Sequence, residues 1–356
     1  MEKGTNFIEG LLSLAAEKGA SDLHLLANTF PVFRLIGKLV FYEQGGLISS
    51  TALLGYITSL MSAAQKEVFL RDLELDFSVT VGKNRFRANA YFQRGTPAIS
   101  LRFIPNEIPN IDSLGLPEIC HAFAKLKQGF VLVTGPTGSG KSTSVAAILD
   151  EINSNRTEHI VSIEDPVEFI HENKKSIVSQ RELGGDTKSW DNALKSVLRE
   201  DPNVVYIGEM RDPETIAAAM TVAETGHLVF ATLHTNSAAQ TIDRIVDSFP
   251  EDQQSQIVLQ LSTVLEAVLS QRLIPSLDGK RKVATEIMVA TPAVRNNIRE
   301  GKTFQIDNVI QTSGNLGMRL LEQSMADLVN KNVVDRNVAM EYSIRPSVLD
   351  KMINVR

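Results

Sequence analysis

Cysteine is nearly absent: Cys120 stands alone in 356 residues. A single thiol excludes an intrachain disulfide framework and a four-cysteine zinc site. Long apolar runs are absent too. None approaches the ~18 residues that a membrane span requires, so no direct membrane insertion is expected. The opening stretch MEKGTNFIEGLLSLAAEKG mixes charges and has no small-residue cleavage site. It reads as an amphipathic helix with Phe7, Leu11, Leu14 and Ala15 on one face, and not as a signal peptide. Basic excess is also missing: the formal net charge is −6. Basic pairs such as Lys174-Lys175 are isolated, which argues against a general nucleic-acid binder. What remains is a globular composition, 43% hydrophobic and 22% charged, with a cytoplasmic location expected. The length suggests two domains.

Residues 131–144, VLVTGPTGSGKSTS, carry the strongest signal. Gly135 to Ser142 fit G-x-x-x-x-G-K-[ST], after an apolar strand-like run and before a helix-like stretch, 144–152. The loop comprises Gly135, Pro136, Thr137, Gly138, Ser139, Gly140, Lys141, Ser142 and Thr143. Its glycines let backbone N–H groups turn toward phosphates. Lys141 supplies a charge for the β- and γ-phosphate oxygens of ATP, and Ser142 a hydroxyl for Mg²⁺. The helix N-terminus adds its positive end.

The chain divides near FIPNEIPNIDSLGLP, 103–117, where three prolines fall among few periodic apolar positions. A domain over 1–104, a linker over 105–117 and a second domain over 118–356 are expected. The first is a small α+β domain. Strands are predicted at 39–43, 75–81 and 85–93, with a turn at 81–84 and one helix-like stretch over 51–70. The second alternates strands (130–134, 159–165, 204–209, 227–233, 282–288) with helices. One of these covers 189–199, and another starts with Asp212 as N-cap and Pro213 in its first turn. This pattern predicts a mostly parallel α/β sheet of the RecA-like kind. Helices are expected to dominate from Glu251 onward.

ATP hydrolysis needs a group that orients or deprotonates water and a group that fixes Mg²⁺. SIEDPVEF, 162–169, places Glu164 and Asp165 just past a strand, with Glu168 following. In VVYIGEMRD, Gly208 stands where a Walker B aspartate is common, and Glu209 follows. One carboxylate then serves where two are usual, so a nucleotide switch without hydrolysis stays open. His227 and His234 flank a strand and are too far apart to share a metal. His234, past the strand end, is placed to sense the γ-phosphate.

Four stretches together are more specific than any one. GPTGSGKST, SIEDPVEF, GEMRDPET and TGHLVFATLHTNSAAQTIDRIVDSFP resemble, in order and spacing, the Walker A, Asp box, Walker B and His box of the type II/IV secretion ATPase superfamily. Gly208-Glu209 is that superfamily's own pattern. Within it the chain is similar to the type IV pilus retraction ATPases, the PilT family. The similarity runs from EKGASDLHL (17–25) through FRLIGKL (33–39) to IQTSGNLGMRLLEQSMADLV (310–329). Extension and secretion ATPases of the superfamily carry a further N-terminal domain and usually a four-cysteine insert. TPAVRNNIREGK (291–302) is similar to a late motif of the retraction family, usually AIRNLIRE. It departs at Val294 and at Asn297, where an apolar residue is usual, and this puts that helix's packing or partner in question.

The resemblance implies a RecA-like P-loop core with a smaller, PAS-like N-terminal domain. It implies a homohexameric ATP-driven motor for pilus retraction, seated on an inner-membrane platform protein at the pilus base. It implies Glu164 as catalytic base, Glu209 as orienting a magnesium-bound water, and His234 as γ-phosphate sensor with His227 in support. Arg87 and Arg102 look like a pair of N-terminal-domain arginines that approach the phosphates, and Arg272 is a further candidate. A related secretion, pilus-extension or DNA-uptake motor is the alternative.

Overall fold

The computed structural model describes residues 2–35, 37–82, 84–104 and 107–353. The chain forms two compact units, divided after Glu107. The expected turn residue Lys83 and linker residues Pro105 and Asn106 lie outside the described residues, as does Ile36 of the 33–39 stretch.

The first unit runs α1 (Glu2–Glu17), β1 (Asp22–Leu26), β2 (Val32–Leu35), β3 (Lys38–Phe41), α2 (Ser50–Ser59), α3 (Ala63–Asp72), β4 (Glu74–Val81), β5 (Asn84–Gln93) and β6 (Thr96–Ile104). Its sheet has the order β3-β2-β1-β6-β5-β4, every neighbour antiparallel. Side chains alternate across a strand, so one face collects Leu23, Leu25, Phe33, Phe86, Ala88 and Leu101. These pack with Ile8, Leu12, Leu53, Ile57 and Phe69 from the three helices. The other face is mainly polar, with Asp22, His24, Arg34, Arg87, Asn89, Ser100 and Arg102. The helix expected over 51–70 is two helices. Ser62 opens the second with a capping box: its hydroxyl accepts from the Gln65 N–H, and the Gln65 side chain accepts from the Ser62 N–H. That satisfies two N–H groups of the new helix end, so the chain gains by stopping and restarting there.

The second unit begins at Ile108. Residues 108–117, expected as linker, are its first segment. Ile111 and Leu116 are buried against α4 (Ile119–Phe123) and its neighbours. There follow β7 (Gly129–Thr134), α5 (Lys141–Asn155), β8 (His159–Glu164), β9 (Ile177–Glu182), α6 (Trp190–Val197), β10 (Val204–Ile207), α7 (Pro213–Glu224), β11 (Leu228–Leu233), α8 (Ala238–Asp247) and α9 (Glu251–Val264). Then come β12 (Leu265–Pro275), β13 (Arg281–Val289), α10 (Pro292–Arg299), α11 (Ile306–Thr312), α12 (Leu321–Asn330), α13 (Arg336–Tyr342) and α14 (Pro346–Met352).

The sheet order is β13-β12-β7-β11-β10-β8-β9, parallel except for the β12–β13 hairpin. Both faces are covered, as all-parallel sheets require. Phe130, Leu132, Ile163, Ile207 and Ala231 join the core under α6–α9. Their alternates Val131, Val133, Val204, Tyr206 and Phe230 join the core under α4 and α5. Cys120 lies in the latter, fully buried, and burial pushes its thiol up to about 12. The region after Glu251 is not helical throughout. β12 follows α9 without an intervening residue and pairs with β7, so it is a strand of the sheet. On α10, Val294 and Asn297 are both buried, as is Ile298. Among the described residues no helix is long and apolar enough to cross a membrane.

Candidate active site

Four adjacent parallel strands, β7, β11, β10 and β8, end on the same side of the sheet. The phosphate-binding loop follows β7, His234 follows β11, Gly208-Glu209 follow β10, and Glu164 ends β8. Ligands of open α/β sheets bind at these carboxyl ends. Backbone bonds tie the ends together: the Gly135 N–H donates to the Leu233 carbonyl, and the Gly208 N–H to the Ile163 carbonyl.

The loop turns at Gly135 with φ +145°, where a side chain is disfavoured. A β-carbon there would also stand 2.3 Å from the Gln271 carbonyl oxygen. Gln271, on β12, is 2% exposed and donates from Nε2 to the Ser139 carbonyl at 2.8 Å. Lys141 donates from Nζ to the carbonyls of Gly135 (2.8 Å) and Pro136 (3.3 Å). Burial lowers its pKa, and the charges of Glu209 and Glu168 oppose that shift. The lysine, Glu168 and Glu209 therefore sense one another's charge in one site. Tyr206, buried on β10, reaches the same place, where burial and the charges of Glu164 and Glu168 raise the pKa of its phenol.

Glu164 is buried at 5% exposure. Ser162 Oγ donates to it at 2.6 Å, and Gln180 Nε2 and the Glu168 N–H donate at 3.3 Å. Burial nevertheless pushes its carboxyl up to about 7. A carboxylate poised near neutrality, held rigidly at a strand end, suits proton abstraction. Asp165, the alternative in the same stretch, is exposed. Glu209 carries two partners: His234 Nε2 at 3.1 Å from Oε1, and Arg211 Nη2, which donates to Oε2 at 2.9 Å. The Thr232 hydroxyl donates to the Gly208 carbonyl and fixes the turn before Glu209. The Ser142 hydroxyl and the Glu209 carboxylate are hard oxygen donors, and Mg²⁺ takes such donors together with substrate phosphates.

His227 requires correction. It precedes β11 and lies at the amino end of the sheet, where its carbonyl accepts from the Gly129 N–H. The six residues of β11 separate it from His234, about 20 Å. Its Nδ1 contacts Thr225 Oγ1 and the Val222 carbonyl, each at 3.0 Å. It cannot support His234 at this chain's phosphate loop. Arg272 does not point a free guanidinium at the loop either. It donates to the Tyr342 carbonyl at 2.6 Å and to Asn236 Oδ1 at 3.1 Å. Arg87 and Arg102 lie in the first unit as register partners on β5 and β6, on the polar face. Arg102 Nε donates to Asp22 Oδ1 at 2.9 Å.

Gln271, Tyr206, Thr232 and Arg211 are site residues that the sequence reading missed. For Gln271 a signal existed, since it stands beside the singled-out Arg272 inside an apolar run.

The chain matches the model of the type II/IV secretion system proteins over residues 5–342. It belongs to that family. The type IV pilus retraction ATPase PilT of Pseudomonas aeruginosa is 47% identical over 341 residues, covering 95% of this chain and 98% of that one. A twitching motility protein of Neisseria gonorrhoeae is 49% identical over 280 residues, 78% of this chain and 75% of that one. Among solved structures, the pilus retraction motor PilT with bound ADP aligns with a TM-score of 0.90 at 43% identity, covering 97% of this chain and 99% of that one. The retraction-ATPase resemblance and the α/β fold expected from the sequence are thus borne out.

Proposed function

We propose that the chain is an ATP-hydrolysing motor that powers type IV pilus retraction. One observation carries the catalytic part. Lys141, Glu164, Glu209 and His234 stand at the ends of four neighbouring parallel strands, with Glu164 held near neutral pKa. The pilus assignment is supported by a relative of that name, 98% of whose length the chain covers. Lys141 exchanges its loop carbonyls for the β- and γ-phosphate oxygens. Glu164 takes the proton of the attacking water. His234, oriented by Glu209, meets the γ-phosphate. Ser142 and Glu209 would hold Mg²⁺, which when bound would supply positive charge to offset that of the phosphate oxygens. Arg87 and Arg102 contribute to turnover. The working form is a homohexamer on the cytoplasmic side of the inner membrane, engaged with the platform protein of the pilus machine and with no nucleic-acid requirement.

The test is steady-state ATP hydrolysis by the wild type and by Lys141→Ala, each with and without single-stranded DNA, alongside the sedimentation profile. Turnover indifferent to DNA, abolished in a well-folded Lys141→Ala protein, is expected. Normal turnover in that variant would end the phosphate-loop assignment, and DNA-dependent turnover would end the pilus reading.

A further inference from the structure

The last helices of the chain build a small core of their own, with Leu321, Met325, Ala339 and Leu349 packed on Ile274 and Ala284 of the β12–β13 hairpin. Between α13 and α14 the chain places Arg345 among three carboxylates. Its Nη2 donates to Glu286 Oε2 at 2.8 Å and its Nε to Glu322 Oε2 at 3.0 Å, while Nη1 donates to Asp307 Oδ2. The Glu286 and Glu322 side chains have no exposure at all. Glu322 also accepts from the Arg345 N–H and from Ser343 Oγ through its other oxygen.

Such a network is a poor way to gain stability. Desolvating the charges offsets most of their attraction, and apolar residues of the same volume often do as well. What such a network supplies is a fixed geometry around Arg345, all three of whose donor nitrogens are bonded, with only Asp307 Oδ1 left without a partner. Here that geometry leads to the nucleotide side of the molecule. The second oxygen of Glu286 accepts from the Ala238 N–H at 2.7 Å. Ala238 opens α8, four residues after His234, and its N–H is one that the helix itself leaves unpaired. Arg272 makes a parallel strut from the same C-terminal segment, from the Tyr342 carbonyl to Asn236 Oδ1. Both ends of residues 236–238 are therefore tied to residues 342–345.

We propose that Arg345 and Glu286 are positioning residues for His234, so that the C-terminal helices set the loop that meets the γ-phosphate. This rests on the reading of His234 as the γ-phosphate sensor. Arg345 touches no nucleotide, and its effect passes through Glu286 and the start of α8. Docking or displacement of the C-terminal helices would then tune hydrolysis without touching ADP affinity.

The experiment uses the full chain and four proteins: wild type, His234→Ala, Arg345→Lys and the double variant. Three quantities are measured: kcat, KM, and the affinities for ADP and for a non-hydrolysable ATP analogue. Arg345→Lys is expected to lower kcat by about tenfold or more, since small misplacements of a catalytic group are costly. Its ADP affinity should match wild type while its preference for the ATP analogue over ADP falls toward that of His234→Ala. In the double variant the two losses should not add, because they remove the same interaction. A merely structural Arg345 would weaken both nucleotides together, or lower the melting temperature with kcat and preference intact, or add its full loss to that of His234→Ala. Any of these overturns the proposal. If His234→Ala itself kept wild-type preference and turnover, the sensor reading would fail first. Should Arg345→Lys not fold, Glu286→Gln gives the same decision, because its amide oxygen still accepts from the Ala238 N–H while its amide nitrogen cannot accept from Arg345.

Discussion

At Gly208 a β-carbon would stand 3.2 Å from Glu164 Cα, 3.4 Å from the Ile163 carbonyl oxygen and 3.5 Å from Glu164 Cγ. The residue that replaces the common Walker B aspartate therefore makes room for the neighbouring base. Gly208→Ala should shift Glu164 by a few tenths of an ångström and lower kcat by about tenfold while ATP-analogue affinity holds. Unchanged turnover in that variant would deny the contact any catalytic meaning. The Glu164 carboxyl also predicts a pH profile. With its pKa at about 7, kcat should fall about tenfold per pH unit below neutrality, and Glu164→Gln should be flat and about 10²–10⁴ lower. The same shift opposes stability. A carboxyl raised above its ordinary 4.5 favours the folded state fully below that value, and the benefit is lost as pH rises through about 7. Thermal melts above pH 8 should find Glu164→Gln more stable than wild type. Glu164 was legible because it follows an apolar strand. Its elevated pKa was not, because the burial comes from β9 and β10, far away in sequence.

Among the elements, α4 and α5 are joined by His121. Its Nδ1 lies 2.7 Å from Glu151 Oε2 on α5, and its Nε2 lies 3.3 Å from Asp112 Oδ1 in the 108–117 segment. The hydrogen bond to Asp112 leads the causes that raise its pKa. A raised histidine stabilises fully below its ordinary 6.5, and that contribution is lost as pH rises through the folded-state value. His121→Gln should therefore flatten the pH dependence of the unfolding midpoint between pH 6 and 8. An unchanged slope would show the clamp to be inert. Element by element, strong periodicity and caps were readable: Asp212 does cap α7, its side chain accepting from the Thr215 N–H. The Ser62–Gln65 capping box was present in the sequence too, but the apolar run across it concealed the break. β12 was missed because α9 passes into it at Val264-Leu265 with no turn residue between. With β12 went Gln271, the side chain that fastens the phosphate loop.

On the scale of the whole molecule, the first unit carries a cross-strand row on its polar face. Arg34, Asp22, Arg102 and Arg87 are register partners on β2, β1, β6 and β5. Burial alone would raise the Asp22 carboxyl, but hydrogen bonds from Arg102 and Ser21 hold it below its usual range. Arg87→Ala and Arg102→Ala are expected to cost more in turnover than in ATP-analogue affinity, the pattern that the proposed role in turnover requires. Steady-state rates beside equilibrium binding decide it, and wild-type rates in both would leave the pair a structural part of the sheet. The two-unit plan was readable from the prolines of 105–117, but its edge was not. Ile111 and Leu116 belong to a core assembled from distant residues, and two isolated apolar positions make no periodic signal. The lone Cys120 has its own consequence. Buried, with its thiol held at about 12, it is not a thiolate at neutral pH and does not compete for sulfhydryl reagents. Dyes attached to cysteines introduced at exposed Glu43 and Glu251, one in each unit, would be the only chromophores taken up. The native chain thus serves as its own background for site-specific labelling, with no need to replace Cys120.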